Sequence, residues 1–267
     1  MITPIAPLLV DRSAGLGRFN PVAKVGAAAI VLVGLLVTLD PLTPTLLLAA
    51  ELAVVPLTGV PAGALARRAW PLLVGAAGIG LTNAIVVNGG RVVVDFGFFD
   101  ITTDGLAAAA SVSLRLLAIA LPGVLVLATT DPMDLADALV QRWRVPDRFA
   151  YGALAALRLL PLLSADWQQT ARARRARGLD PGRSPVAHLA AFAAQVLAVL
   201  VAAVRRGVRL ATAMEARGFG ATGVARTVAR PQPMHRRDWA LVAATLGVVV
   251  AATAVSVAVG TWRLPFA

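Results

Sequence analysis

Long uncharged apolar runs decide what this chain can become. Windows near 25–39, 42–60, 70–87, 105–130 and 239–260 are long enough, or nearly so, to cross a hydrocarbon core that needs about 20 helical residues. Inside lipid no water satisfies the backbone, so a crossing segment must pair its own N–H and C=O groups. The runs lack the alternating ten-residue pattern of a barrel strand, which leaves helices. Hydrophobic residues make up 58% of the chain and charged residues 15%, whereas a soluble domain carries roughly 25% charged residues. The expected fold class is an all-α integral membrane protein with about five transmembrane helices.

Charge then orients the runs. Residues 141–237 hold seventeen Arg and four acids, a net of +13, while the rest of the chain nets −2. Lys and Arg mark cytoplasmic segments, so 131–238 is expected inside the cell. Arg12, Arg18 and Lys24 precede the first run and Met1–Val10 carries no base, which is not the pattern of a cleaved signal. With the N-terminus inside, the first span exits at Asp40-Pro41 and the second returns to Arg67-Arg68. The third exits to 88–104, where Asp95, Asp100 and Asp104 outweigh Arg91, and the fourth re-enters at Asp131-Pro132. The last begins after Arg236-Arg237. The expected division is a four-span part over 1–130, a cytoplasmic or interfacial region over 131–237 and a final transmembrane helix over 238–267.

Val186–Val204 contains no Asp, Glu, Lys or Arg, yet eight of its nineteen residues are Ala. His188, Gln195 and Arg209 recur on one face at heptad spacing. A crossing here would also put Arg177 and Arg217 on opposite sides of the membrane. The segment therefore reads as a helix at the membrane surface.

Within the basic region, 150–177 and 186–217 read as two helices of about 42 and 48 Å, joined by the turn 179–185. Each ends in the same tripeptide, Ala176-Arg177-Gly178 and Ala216-Arg217-Gly218. The glycines sit where a left-handed C-cap belongs, and Pro161 is expected to kink the first helix. An Arg before a cap glycine is ordinary, because charge–dipole attraction contributes about 0.3–1 kcal/mol. Two copies on long Arg-studded helices point further, to contacts with two equivalent soluble partners.

Other groups carry less. Glu51 and Arg115 fall inside the second and fourth spans, and intramembrane charges usually pair; an ion pair between them is expected. Gly218–Gly223 matches G-x-G-x-x-G, but a helix precedes it where the nucleotide fingerprint needs a strand. Lys24 is the single lysine, and no G-x-x-x-x-G-K-[ST] loop exists, so any ATPase acts from another chain. With no cysteine, and with His188 and His235 apart from any acid cluster, no catalytic residue, metal site or cofactor is assigned. Asp131, Asp134 and Asp137 read as a helix N-terminus favoured by acids. Gly75, Gly78 and Gly80 with Ala76 and Ala77 offer a smooth face for helix packing. A membrane enzyme would show acidic or His clusters at a membrane face. A nucleic-acid binder would interleave aromatics with its arginines, and from 152 to 235 only Trp167, Phe192 and Phe219 occur. A basic hairpin on anionic lipid is a further alternative.

From about residue 18 to 260 the chain resembles the transmembrane T component of energy-coupling factor (ECF) transporters, prokaryotic importers of vitamins and metals. Asn20-Pro21-Val22-Ala23-Lys24 is similar to the family's Asp-Pro-x-x-Lys start of the first span, with Asn for Asp. Thr129-Thr130-Asp131-Pro132 resembles the segment leaving the fourth span, and Val145-Pro146 with Leu157-Arg158-Leu159-Leu160-Pro161 the start of the first coupling helix. Ala173-Arg174-Arg175-Ala176-Arg177-Gly178 and Ala213-Met214-Glu215-Ala216-Arg217-Gly218-Phe219 are the most specific matches.

The resemblance implies a non-catalytic coupling subunit in the bacterial cytoplasmic membrane. It implies two ABC-type ATPases as partners, each gripping one motif Arg in an acidic groove, and a substrate-binding S component for a vitamin or metal ion. Arg177 and Arg217 take the motif positions, with Ala176, Gly178, Ala216 and Gly218 around them. Arg158, Pro161, Arg174 and Glu215 are the supporting residues. Membrane lipids complete the expected partners, and nucleic acid is not among them.

Overall fold

The computed structural model describes residues 15–38, 40–95, 100–179, 182, 184–219 and 230–262. Among these the chain forms eight α-helices: α1 Pro21–Leu36, α2 Leu42–Val54, α3 Ala62–Val86, α4 Thr103–Thr129, α5 Pro132–Trp143, α6 Asp147–Ala176, α7 Pro185–Ala216 and α8 Arg236–Val259. Two short strands, β1 Val92–Asp95 and β2 Asp100–Thr102, pair antiparallel between α3 and α4, with a bulge between Val92 and Val94. Three consecutive β-branched valines, Val92, Val93 and Val94, favour the extended backbone there.

The all-α membrane class holds, and five helices are long and apolar enough to cross a membrane: α3, α4, α6, α7 and α8. Three of these, α3, α4 and α8, coincide with expected windows, whereas the windows 25–39 and 42–60 fall on shorter helices. The helices α1 and α2 have 16 and 13 residues, about 24 and 20 Å at 1.5 Å per residue. Pro41 stands at the amino end of α2, and Pro56, which has no N–H to donate, sits in the 3-10 turn Val55–Thr58 that ends it. The helices α6 and α7, which the sequence places in the cytoplasmic or interfacial region, also have this length and hydropathy.

The chain separates into one unit of Met1–Ala138 with Gln232–Ala267 and another of Leu139–Pro231. In the first, Val31, Leu35, Leu47, Ala118, Val249 and Ala252 from α1, α2, α4 and α8 make one core. Val60, Leu65, Leu121 and Leu125 make a second. Lipid tails are as apolar as leucine, so close approach of backbones matters more here than area removed from water. The α3–α4 contact illustrates this. Ala76, Gly80 and Ala84 are buried at every fourth position, Ser113 Oγ donates to the Ala76 carbonyl at 2.9 Å, and a Cβ on Gly80 would collide with that hydroxyl. Gly75 and Gly78, expected on the same smooth face, point into open space.

Polar groups close this bundle at both ends. At one, fully buried Asp40 accepts from Thr43 N, Thr43 Oγ1 and Ser256 Oγ, each at 2.7 Å. Burial pushes the Asp40 carboxyl up, but the hydrogen bonds from Ser256 and Thr43 outweigh it and hold the group below its ordinary value. At the other end, Asp238 is 0% exposed and accepts from Asn20 N and His235 N, both at 2.7 Å.

Candidate functional site

The two sequence motifs fold into the same object. The helix α6 runs to Ala176, Arg177 is its cap at φ −89° and ψ 7°, and Gly178 turns left-handed at φ 72°. Gly178 N donates to Arg175 O at 3.0 Å and Leu179 N to Arg174 O at 3.1 Å. In α7, Arg217 caps at φ −88° and ψ 10° and Gly218 turns at φ 78°. Gly218 N donates to Glu215 O and Phe219 N to Met214 O, both at 2.9 Å. Each is a Schellman end, with an apolar residue, Leu179 or Phe219, one position past the glycine. A Cβ on either glycine would meet nothing within 4 Å. The requirement is therefore the backbone turn itself, not room for a neighbour.

That turn gives a direct test. Alanine at a left-handed position costs about 1–2 kcal/mol. Gly178→Ala and Gly218→Ala are each expected to loosen their own helix end by about that much, seen as faster amide exchange over 173–179 or 213–219. Equal exchange in variant and parent would contradict the reading.

Both arginine side chains are exposed, and among the described residues neither makes a hydrogen bond or ion pair. Ala176 and Ala216 beside them are exposed as well. Arg158, Pro161, Arg175 and Glu215 are exposed and Arg174 is half-buried. The helix α6 continues through Pro161 as one element, with Ser164 Oγ donating to the Pro161 carbonyl at 2.7 Å.

The two helices lie antiparallel. Gln195 Nε2 donates to Trp167 O at 2.9 Å, Arg206 pairs with Asp166 at 2.8 Å, and Trp167 meets Phe192 edge to face with ring centres 5.5 Å apart. Tyr151 and Phe219 meet in the same way at 6.3 Å. Phe219 adjoins Arg217, so the second motif lies beside the amino end of α6. From Tyr151 the path along α6 to Arg177 is about 39 Å at 1.5 Å per residue. The hairpin therefore presents two identical basic tips at its opposite ends. Sequence reading expected Gln195 and His188 on a shared face; Gln195 is buried against α6, whereas His188 Nε2 contacts Gly182 O at 2.9 Å. It missed the Asp166–Arg206 pair, whose partners lie on different helices.

The expected Glu51–Arg115 ion pair is not formed. Neither carboxylate oxygen of Glu51 has a hydrogen-bond partner. Arg115 donates through Nη2 to the Thr38 carbonyl and feels the charge of Asp40 instead. A hydropathy trace does not show that the α1–α2 turn folds a carboxylate back toward α4. The Asp131 reading holds: Asp131 Oδ1 accepts from Met133 N at 2.8 Å, at the start of α5. Of the glycine-rich stretch 218–223, Gly218 is a helix cap following α7, and 220–223 lie outside the described residues.

These features define an all-helical membrane protein carrying a hairpin with two matched Arg-Gly tips. The family model described as CbiQ, Cobalt transport protein, matches residues 13–227. Similar proteins include the energy-coupling factor transporter transmembrane protein EcfT of Exiguobacterium sibiricum, 35% identical over 161 residues covering 57% of this chain and 61% of that one. The proteins of the same name from Lacticaseibacillus paracasei and Limosilactobacillus fermentum are 31% and 32% identical, covering 74% and 76% of this chain and 77% and 79% of theirs. The chain belongs to the CbiQ family, the transmembrane T components of energy-coupling factor transporters. It is a membrane component of a transporter.

Proposed function

We propose that the chain is the non-catalytic coupling subunit of an ECF-type importer, in which Arg177 and Arg217 each grip one of two ABC-type ATPases. A substrate-binding S component, for a vitamin or a metal ion, completes the complex. The hairpin α6–α7 lies on the cytoplasmic side and the N-terminus is inside, in a bacterial cytoplasmic membrane. Closure of the ATPases on ATP displaces the hairpin, and that displacement reorients the S component so that substrate is released inward. One observation carries the reading: the same capped tip is built twice, with matching dihedral angles and hydrogen bonds, at opposite ends of one hairpin. Arginine suits the joint because its planar fork makes directional, charge-assisted bonds to carboxylates.

The test is affinity purification of the tagged full chain co-expressed with the ATPase pair of its own genome, with recovery of both ATPases expected. Because the chain has no cysteine, Arg177→Cys and Arg217→Cys also report sidedness. Labelling of either from outside intact cells by an impermeant maleimide would refute the placement.

A further inference from the structure

Asn20 and Lys24, one turn apart at the start of α1, hold two pieces of chain that are far away in sequence. Lys24, 5% exposed, donates through Nζ to Thr129 O at 2.9 Å, to Thr130 Oγ1 at 3.2 Å and to Thr129 Oγ1 at 3.4 Å. Asn20, 6% exposed, donates through Nδ2 to Gln232 O at 3.2 Å and Pro233 O at 3.3 Å, and its backbone N donates to Asp238 Oδ1 at 2.7 Å. Its Oδ1 meanwhile caps α1 by accepting from Val22 N at 2.9 Å. Together these groups line a polar cavity of about 170 Å³.

Thr129-Thr130 is where the chain leaves α4 toward the unit Leu139–Pro231, and Gln232-Pro233 is where it returns from that unit. Both covalent connections of the hairpin-bearing unit are therefore fastened to a single helical turn. The asparagine matters in this arrangement. An aspartate at position 20 could still cap α1, but it has no amide to donate to the two carbonyls, and it would put a second carboxylate next to buried Asp238. A buried ammonium with three acceptors, and an amide bridging to two carbonyls, are directional contacts that resist sliding.

We propose that Asn20 and Lys24 are positioning residues that carry the displacement of the unit Leu139–Pro231 into the membrane bundle, by fixing both of its connections to α1. This rests on the coupling reading above. If one strap slips, the hairpin still moves under ATP while the bundle no longer follows.

The experiment uses the full-length complex with its ATPases and a single reporter cysteine, which the cysteine-free chain allows. One reporter is Val208→Cys on α7, 60% exposed; the other is Leu127→Cys on α4, 70% exposed. Maleimide labelling rates are compared with and without ATP. In the parent both reporters are expected to respond. Asn20→Ser keeps a good helix cap but loses both amide bonds, and Lys24→Met keeps the length but loses the donors. In either variant Val208→Cys is expected to respond as before, while the ATP-dependent change at Leu127→Cys drops about tenfold or more. An unchanged Leu127→Cys response in both variants overturns the proposal. So does loss of the Val208→Cys response in Asn20→Ser, since the role would then be structural. A parent that responds at Val208→Cys but not at Leu127→Cys overturns it too. A parent with no ATPase bound, or silent at Val208→Cys, overturns the coupling reading and the anchor with it.

Discussion

Replacing Arg177 and Arg217 together with glutamate is expected to abolish recovery of both ATPases while the membrane part inserts and folds normally. Truncating one member of a buried charge pair at an interface costs about 2–5 kcal/mol, and reversing its sign adds repulsion from the acidic groove. At about 1.4 kcal/mol per decade, each site loses roughly 30-fold to several-thousand-fold in affinity. Either single variant keeps one grip and is expected to retain a weakened complex. The fold should not suffer, because both guanidiniums are exposed and make no ion pair among the described residues. Arg209→Glu, on an exposed position of α7 away from either tip, carries the same charge change and is expected to leave recovery intact. Normal yield from the double variant, or an equal loss from Arg209→Glu, would reject specific gripping by the two tips.

The largest effect on stability is expected from Asp238→Ala. Its carboxylate accepts the N–H of buried Asn20 and, within the capping box of α8, the N–H of His235. Leaving a buried donor unsatisfied costs about 1–3 kcal/mol, and losing a helix cap about 1 kcal/mol more. A total near 3 kcal/mol should appear as a lowered unfolding midpoint of the detergent-solubilised protein. Arg67→Ala, at an exposed position of α3, should change it little. A difference between the two variants below about 0.5 kcal/mol would count against the clasp, since that is the ordinary scatter of surface substitutions.

Glu51 and Arg115 show where reading along the chain runs out. Both are intramembrane charges, and the rule that such charges pair is sound, but it does not choose the partner. The tight α1–α2 turn brings Asp40 and the Thr38 carbonyl to Arg115 and leaves Glu51 without it. The first two windows form helices shorter than a full span: Pro41 stands at the amino end of α2, and Pro56 lies in the 3-10 turn that ends it. The motif that begins at Asn20 was legible as a pattern, yet its work lies in contacts with Thr129, Gln232, Pro233 and Asp238, none of which its own spacing reveals.

The amino-acid sequence by itself determined the membrane class, the long helices ending at Ala176 and Ala216, and the two arginine tips. Each of these follows from short-range causes: apolar run length, a proline or glycine at a boundary, a left-handed residue closing a helix. Only the tertiary structure decided which buried charges meet, which side chains join the two long helices, and that one turn of α1 straps both connections of the unit carrying them. Those outcomes depend on groups 28 to 218 residues apart finding each other where unpaired polar atoms are costly, and no local pattern encodes that.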